Sequence, residues 1–387
     1  MYVQNYLISM KKILFRKLLL DCLKFFFISL ISASIIVWVF QAVNFLDIMI
    51  EDGRDHLVYI KYTLLNFPKT MNKIVPFALF FSFSYVLAKY ELRNELLVFW
   101  TYGISKVQLI NFFLKFSLVL VVMQISLTSI LVPKSQELSR NYLKKSNINF
   151  FDNFIKPKKF NDTIKNLTIY AESKTPEGDL KNIYMKKGSF TDFQITYAKK
   201  GKYNLINGVN FLTLYDGNTI YNTSNGISNF AFSKSDFNLS GLVTNTITTT
   251  KTQETSTLTL INCIDNYLKG KLNLENNVAI TLNCNLRNID NVFKELYKRH
   301  IIPFYIPILI IVSLIHILYP KEKINYTKYR VYIFLFGLFL IIFSETTLRF
   351  ISSSLKFNLN MIAIPIVILT VLYLSILIKL KIKINKN

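Results

Sequence analysis

Residues Lys89–Gln108, KYELRNELLVFWTYGISKVQ, form a short polar-to-amphipathic piece between two long apolar runs. Leu92, Leu96 and Phe99 recur at i, i+4 and i+7, the spacing of one apolar stripe on a helix. Glu91 and Glu95 fall one turn apart on the neighbouring face. Like charges at that spacing cost an isolated helix about 0.2–0.5 kcal/mol, so a cation from outside the helix would relieve them. Gly103 stops the helix, and Ser105 with Gln108 reads as a capping box opening the next one. A short helix across the ends of two membrane spans suits the docking of a motor. The same spacing also fits an interfacial loop helix with a solvated acidic face.

The flanking runs set the class. The 387-residue chain is 51% hydrophobic and 15% aromatic, too apolar for a soluble protein of its size. Runs of about 20 apolar residues are what a bilayer core demands of a helix, so the chain reads as a polytopic membrane protein. Its formal charge of +23 comes from lysines scattered through an Asn/Ile/Lys-rich sequence. No basic-aromatic module of the nucleic-acid-binding kind accompanies them. Compositional bias and anchoring at the membrane surface explain the excess. The first apolar run exceeds a signal-peptide core and no small-residue cleavage site follows, so the first span should stay in the membrane.

Residues 1–22, with Lys11, Lys12, Arg16 and Lys17 against Asp21, read as an amphipathic helix on the cytoplasmic surface. The first span covers about Leu23–Leu46, and the acidic segment Asp47–Asp55 then faces the other side. A helix near Leu57–Phe67, Pro68, a second span at about Lys69–Lys89 and a third at about Lys106–Val132 follow. From Pro133 the hydrophobic runs shorten and alternate, as in Phe193–Tyr197, between turn signals such as Pro176–Asp179, Asn207–Gly208, Asp216–Gly217 and Asn225–Gly226. These are the marks of an all-β sandwich or open jelly roll. Residues 243–258 read as a Thr-rich linker and 261–300 as helical. Further spans cover about Ile301–Tyr319, Val331–Phe350 and Leu359–Leu380, with basic segments at 320–330 and 379–387. Basic segments 1–22, 320–330 and 379–387 share one side only if there are six spans and both ends are cytoplasmic.

The expected fold is therefore membrane α-helical, with six transmembrane helices and an extracytoplasmic all-β, jelly-roll-like domain inserted between helices three and four. Its parts are an N-terminal half (1–132, docking helix about 89–104), the β-domain (133–260), a helical return (261–300) and a C-terminal half (301–387).

Sites for chemistry are scarce. There is no GxxxxGK[ST] phosphate loop, no HExxH and no GxSxG, and the three histidines are His56, His300 and His316. His316, inside an apolar span, reads as a hydrogen-bonded packing residue rather than a proton relay. The three cysteines, Cys22, Cys263 and Cys284, lack CxxC spacing, and the sequence does not decide whether Cys263 and Cys284 pair. Neither an enzyme active site, a metal site nor a cofactor is expected. The charges that call for explanation are Lys69 and Lys73 opening span two, Glu345 and Arg349 one turn apart near the end of span five, and Lys356 beyond. Glu345 and Arg349 would pair and the lysines would snorkel, or these groups would meet a phosphorylated lipid.

Asn94–Val98 followed by Tyr102–Ser105, and Glu295–Arg299 with Pro303, carry a resemblance. The first resembles the coupling segment of the LptF/LptG (YjgP/YjgQ) family of lipopolysaccharide export permeases. The second resembles that family's approach to span four. The Phe40–Gln41 and Phe45–Asp47 end of span one is similar to LptF rather than LptG. The resemblance covers essentially the whole chain. It departs at Val98–Thr101, where Met and small residues are usual, and at Tyr297, where histidine is common. It implies pairing with a homologous LptG-like permease and coupling through Glu91, Leu92, Glu95, Leu96, Phe99 and Gly103 to a cytoplasmic LptB-like ATPase dimer. It implies further that lipopolysaccharide leaves the inner membrane for periplasmic LptC/LptA-like β-jellyroll proteins, with Lys69, Lys73, Glu345, Arg349 and Lys356 as candidate lipid contacts.

Two rivals stand beside it. Transmitters of the MacB or FtsX kind have four spans with the external domain between the first two. A membrane sensor or scaffold would use its β-domain only to bind a partner.

Overall fold

In the computed structural model the described residues are 2–46, 56–145, 155–164, 167–175, 178–188, 192–206, 209–223, 226–238, 251–270, 284–319, 322 and 325–384. The acidic segment 47–55, the Asn207–Gly208 turn, and Lys321, Lys323 and Lys386 lie outside them. Among the described residues six helices are long and apolar enough to cross a membrane: Met10–Asn44, His56–Leu92, Lys106–Leu143, Ile289–Leu318, Tyr326–Phe350 and Leu355–Lys381. Two compact units result, one of Met1–Val39, Asn66–Glu137 and Lys251–Asn387, the other of Phe40–Leu65 and Leu138–Thr250.

Several expected boundaries shift, each for a physical reason. Helix α1 runs unbroken over Tyr2–Asn44, so residues 1–22 are not a separate surface helix. Leu18, Cys22, Phe26 and Leu30, each 0% exposed, carry one buried stripe through the expected junction. Helix α2, His56–Leu92, absorbs both Pro68 and Pro76. Helix α3 is short, Glu95–Thr101. The third span does not end at Pro133: α4 (Lys106–Ser126) passes through a π-helical turn at Leu127–Leu131 into α5 (Val132–Lys145). Pro133 lies just past that turn inside the continuous helix, so it offers no N–H to the preceding turn. Of the expected Thr-rich linker 243–258, residues 243–250 lie outside the described residues; Thr252–Glu254 forms a 3-10 turn and α6 (Thr257–Leu268) follows, capped by the Ser256 hydroxyl. Helices α7 (Ile289–His300), α8 (Tyr305–Leu314), α9 (Tyr326–Thr346) and α10 (Leu355–Ile384) complete the chain. A disulfide joins Cys263 to Cys284.

All ten residues of α8 are buried. It is the central span of its unit, and its isoleucines join the core built by α1, α2 and α4. Against it, Phe80 of α2 stacks on Phe334 of α9 with centroids 5.7 Å apart. Gly337 lies beneath that ring, where a Cβ would overlap it. Small residues let membrane helices approach closely without a hydrophobic drive between them. Gly337→Ala should therefore lower stability by about 1–3 kcal/mol, read as a lower midpoint of thermal unfolding in mild detergent. Adding Phe80→Leu should restore most of it. A variant melting like wild type would mean the contact is slack.

The second unit contains one six-stranded antiparallel sheet in the order β1-β2-β3-β4-β5-β6. Its strands are Phe160–Ile164, Leu167–Lys174, Leu180–Gly188, Phe193–Ile206, Val209–Thr223 and Gly226–Asn238. The expected all-β domain between the third and fourth spans is thus present. The ladder passes over one row, through Asn182, Lys199 and Asp216. Asn182 and Asp216 there have φ of 46° and 49°. Inward positions change parity across that row. Ile183 and Met185 give way to Leu180, and Thr219 and Gly217 to Leu214 and Leu212. A left-handed residue inside a strand adds twist, and the sheet buries both sets in one core.

Candidate functional site

The α2–α3 junction is the first candidate. Asn94 adopts φ 60°, a left-handed conformation that breaks the helix between Leu92 and Glu95. The single stripe read from the sequence is therefore corrected. Leu92, on α2, is 51% exposed, while Leu96 and Phe99 on α3 are 1% and 2% exposed. Leu96 and Phe99 cannot fill a partner's groove. They anchor α3, with Phe99 edge-on to Phe15 of α1 at 6.3 Å.

Glu95 begins α3 rather than sitting mid-helix. Its carboxylate favours the helix N-terminus, and Arg93 stands 4.0 Å away with both side chains well exposed. Glu91 lies on the preceding helix. The outward face of α3 carries Leu97 and Val98, 55% and 42% exposed. Gly103, at φ 68°, ends the turn as expected, and its carbonyl accepts from Lys11 Nζ at 3.2 Å. The expected capping box forms: Ser105 Oγ accepts from Gln108 N at 3.2 Å, and Ser105 N donates to Gln108 Oε1 at 3.1 Å. Lys106 Nζ donates to Ile317 O at 2.8 Å and lies over the Trp100 ring. Tyr90 donates to Asp21, tying the end of α2 to α1. Anchors on three sides hold α3 with its acidic and apolar edge outward.

The second candidate is a basic pocket lined by Lys69, Asn72, Lys73, Thr128, Gln136, Gln253, Glu295, Lys298 and Arg299. The structure brings Lys69 and Lys73 together here, as the sequence proposed. It leaves the other candidates apart, for Glu345, Arg349 and Lys356 are exposed elsewhere. Among the described residues no ion pair joins Glu345 to Arg349, so the expected pairing is corrected. The acid and base that do pair are Glu295 and Arg299, also at i, i+4, with Nε to Oε1 at 3.0 Å.

Arg299 is 1% exposed. Besides Glu295, it donates through Nη1 to Thr255 O at 3.0 Å and Thr257 Oγ1 at 2.9 Å, and through Nη2 to Gln253 O at 3.0 Å. Four of its five N–H groups are thereby used. In sequence Arg299 figures only as the end of the Glu295–Arg299 motif, with no role of its own. Its i, i+4 acid was the available signal. With Glu295 committed to Arg299, the lining offers Lys69, Lys73 and Lys298 as its remaining cations.

Prolines explain a set of side-chain bonds in this unit, one of them from Thr128 in the pocket lining. A proline has no N–H, so the carbonyl four residues back loses its helical partner. For Pro76, Pro133, Pro303 and Pro365 those carbonyls belong to Asn72, Ser129, Arg299 and Met361. Each finds a side chain from a neighbouring helix. Gln124 Nε2 donates to Asn72 O at 3.3 Å, and Thr257 Oγ1 to Ser129 O at 2.7 Å. Thr128 Oγ1 donates to Arg299 O at 2.9 Å, and Tyr297 Oη to Met361 O at 3.2 Å. In a bilayer an unmet carbonyl costs several kcal/mol, so these bonds clamp the kinked helices.

A family model described as lipopolysaccharide export system permease LptF/LptG matches residues 16–379. The chain belongs to this family. The family is described as one of export permeases. The chain is also similar to uncharacterized protein RP871 of Rickettsia prowazekii (strain Madrid E), 20% identical over 197 residues, 51% of this chain and 52% of that protein. The matched region spans about half the length of that curated relative.

Proposed function

We propose that this LptF/LptG-family chain is the LptF-side permease of an ATP-driven transporter that draws lipopolysaccharide out of the inner membrane. It hands the lipid to periplasmic β-jellyroll proteins of the LptC/LptA kind and pairs with an LptG-like permease. The LptF assignment rests on the Phe40–Asp47 end of span one. The observation that carries the reading is α3, a short helix fixed by buried Leu96 and Phe99 with Glu95, Leu97 and Val98 outward. That is the form of a socket plug for an LptB-like ATPase: Glu95 meets a cation, and Leu97 and Val98 meet an apolar wall. Leu92, exposed at the end of α2, extends that face, Glu91 adds charge beside it, and Gly103 sets the turn that holds it.

The basic segments support an orientation with the α2–α3 junction and both termini in the cytoplasm. The Cys263–Cys284 disulfide supports this, since it lies in the return segment assigned to the oxidising side. Lys69, Lys73 and Lys298 then serve as contacts for the phosphates of the transported lipid, with Arg349 and Lys356 as peripheral cations and Glu345 on the same span as Arg349.

Co-purification of an ATPase with the permease in mild detergent tests the reading. Glu95→Ala removes one partner of a charge-assisted contact, a loss of about 2 kcal/mol or more, roughly thirtyfold in affinity. ATPase recovery should fall accordingly at equal membrane-protein level. Leu97→Asp should act in the same direction. Full recovery of the ATPase with both variants would make α3 a solvated loop helix, and recovery of none with wild type would favour a sensor or scaffold.

A further inference from the structure

His316 is 3% exposed, and neither of its ring nitrogens has a hydrogen-bond partner. The sequence expectation of a hydrogen-bonded packing histidine is thus corrected. The ring lines a cavity of about 270 Å³ between α2, the 3-10 turn Ile315–Leu318 and α9. Phe81, Tyr85, Ala88, Val331 and Phe334 form its apolar walls. Arg330 and Thr327 supply the remaining polar edge with Ser84, and no acidic side chain is among the lining. Arg330 is held over the Tyr326 ring, 5.7 Å from its centroid, and the buried Tyr326 hydroxyl is also without a partner.

The unpaired His316 nitrogens and the Arg330 cation thus share one cavity lining. Together they suit the headgroup of an anionic ligand. The aromatic walls suit the first methylenes of its tail, and the mouth is edged by Tyr85 and Val331, 45% and 52% exposed. The cavity's residues on α2, Phe81 to Ala88, lie 8 to 15 positions along the helix from Lys73, about 12–22 Å at 1.5 Å per residue. It is therefore a different site from the lysine pocket. On the orientation proposed above, it opens towards the cytoplasmic leaflet.

We infer that this cavity binds an anionic phospholipid, its phosphate between Arg330 and His316 and its tail against Phe81, Tyr85 and Phe334. Native mass spectrometry of the full chain in mild detergent, with phosphatidylglycerol or phosphatidylcholine added at equal concentration, reads binding directly. Wild type should retain phosphatidylglycerol in preference. Arg330→Gln should lower its retention about tenfold, the effect of one charged hydrogen bond, and Arg330→Lys should lower it less. Val331→Trp, which fills the cavity but keeps the charge, should also exclude the lipid, so the result does not hang on one variant's folding. Lys202→Gln, on exposed strand β4, should leave retention unchanged. Equal retention of both lipids, or loss with Lys202→Gln but not Arg330→Gln, would overturn the assignment. So would displacement of the lipid by an equal concentration of inorganic phosphate.

Discussion

Arg299→Met should destabilise the permease by about 3–5 kcal/mol, the cost of removing one partner from a buried ion pair. The substitution keeps the side chain's bulk but strands the Glu295 carboxylate, 17% exposed, together with the carbonyls of Gln253 and Thr255. Those carbonyls belong to the turn that leads the chain into α6, so loosening should extend beyond the pocket. The backbone of Arg299 is engaged as well, through Thr128. Thr128→Val, which removes only that hydroxyl, should cost less, about 1–3 kcal/mol. Thermal unfolding of the two variants in the same detergent checks the ranking. Equal midpoints for Arg299→Met and wild type would mean that the guanidinium does not pin the return segment.

Phe99→Ala should cost a comparable amount, about 3–5 kcal/mol, because a ring 2% exposed leaves a cavity between α1, α3 and α4. Phe15, which meets Phe99 edge-on and Phe112 at 4.6 Å, closes only part of it. The effect on the ATPase should be indirect. Phe99→Ala lowers the midpoint of unfolding and the yield of ATPase together. Glu95→Ala and Leu97→Asp lower the ATPase alone, since both side chains face outward. Unchanged stability with lost ATPase in Phe99→Ala would return this residue to the docking face.

Apolar run length and charge placement determined the class, the six spans and the β insertion from sequence. A bilayer imposes a length on helices, and basic residues keep to one side of it. The capping box at Ser105 and the stop at Gly103 were equally legible, being local chemistry within four residues. What periodicity did not determine is which apolar face meets protein. Leu96, Leu97, Val98 and Phe99 form one unbroken apolar run, so Leu97 outward and Leu96 inward look alike in sequence. Tertiary structure made that choice, helped by one left-handed residue, Asn94, that turns α3 out of line with Leu92. Prolines marked the carbonyls needing partners, but only the fold brought Thr128, Thr257, Gln124 and Tyr297 to them. The pairing of Cys263 with Cys284, the burial of Arg299 and the unpaired nitrogens of His316 are of the same kind. Each depends on segments far apart in the chain arriving at one place, and no local pattern records that arrival.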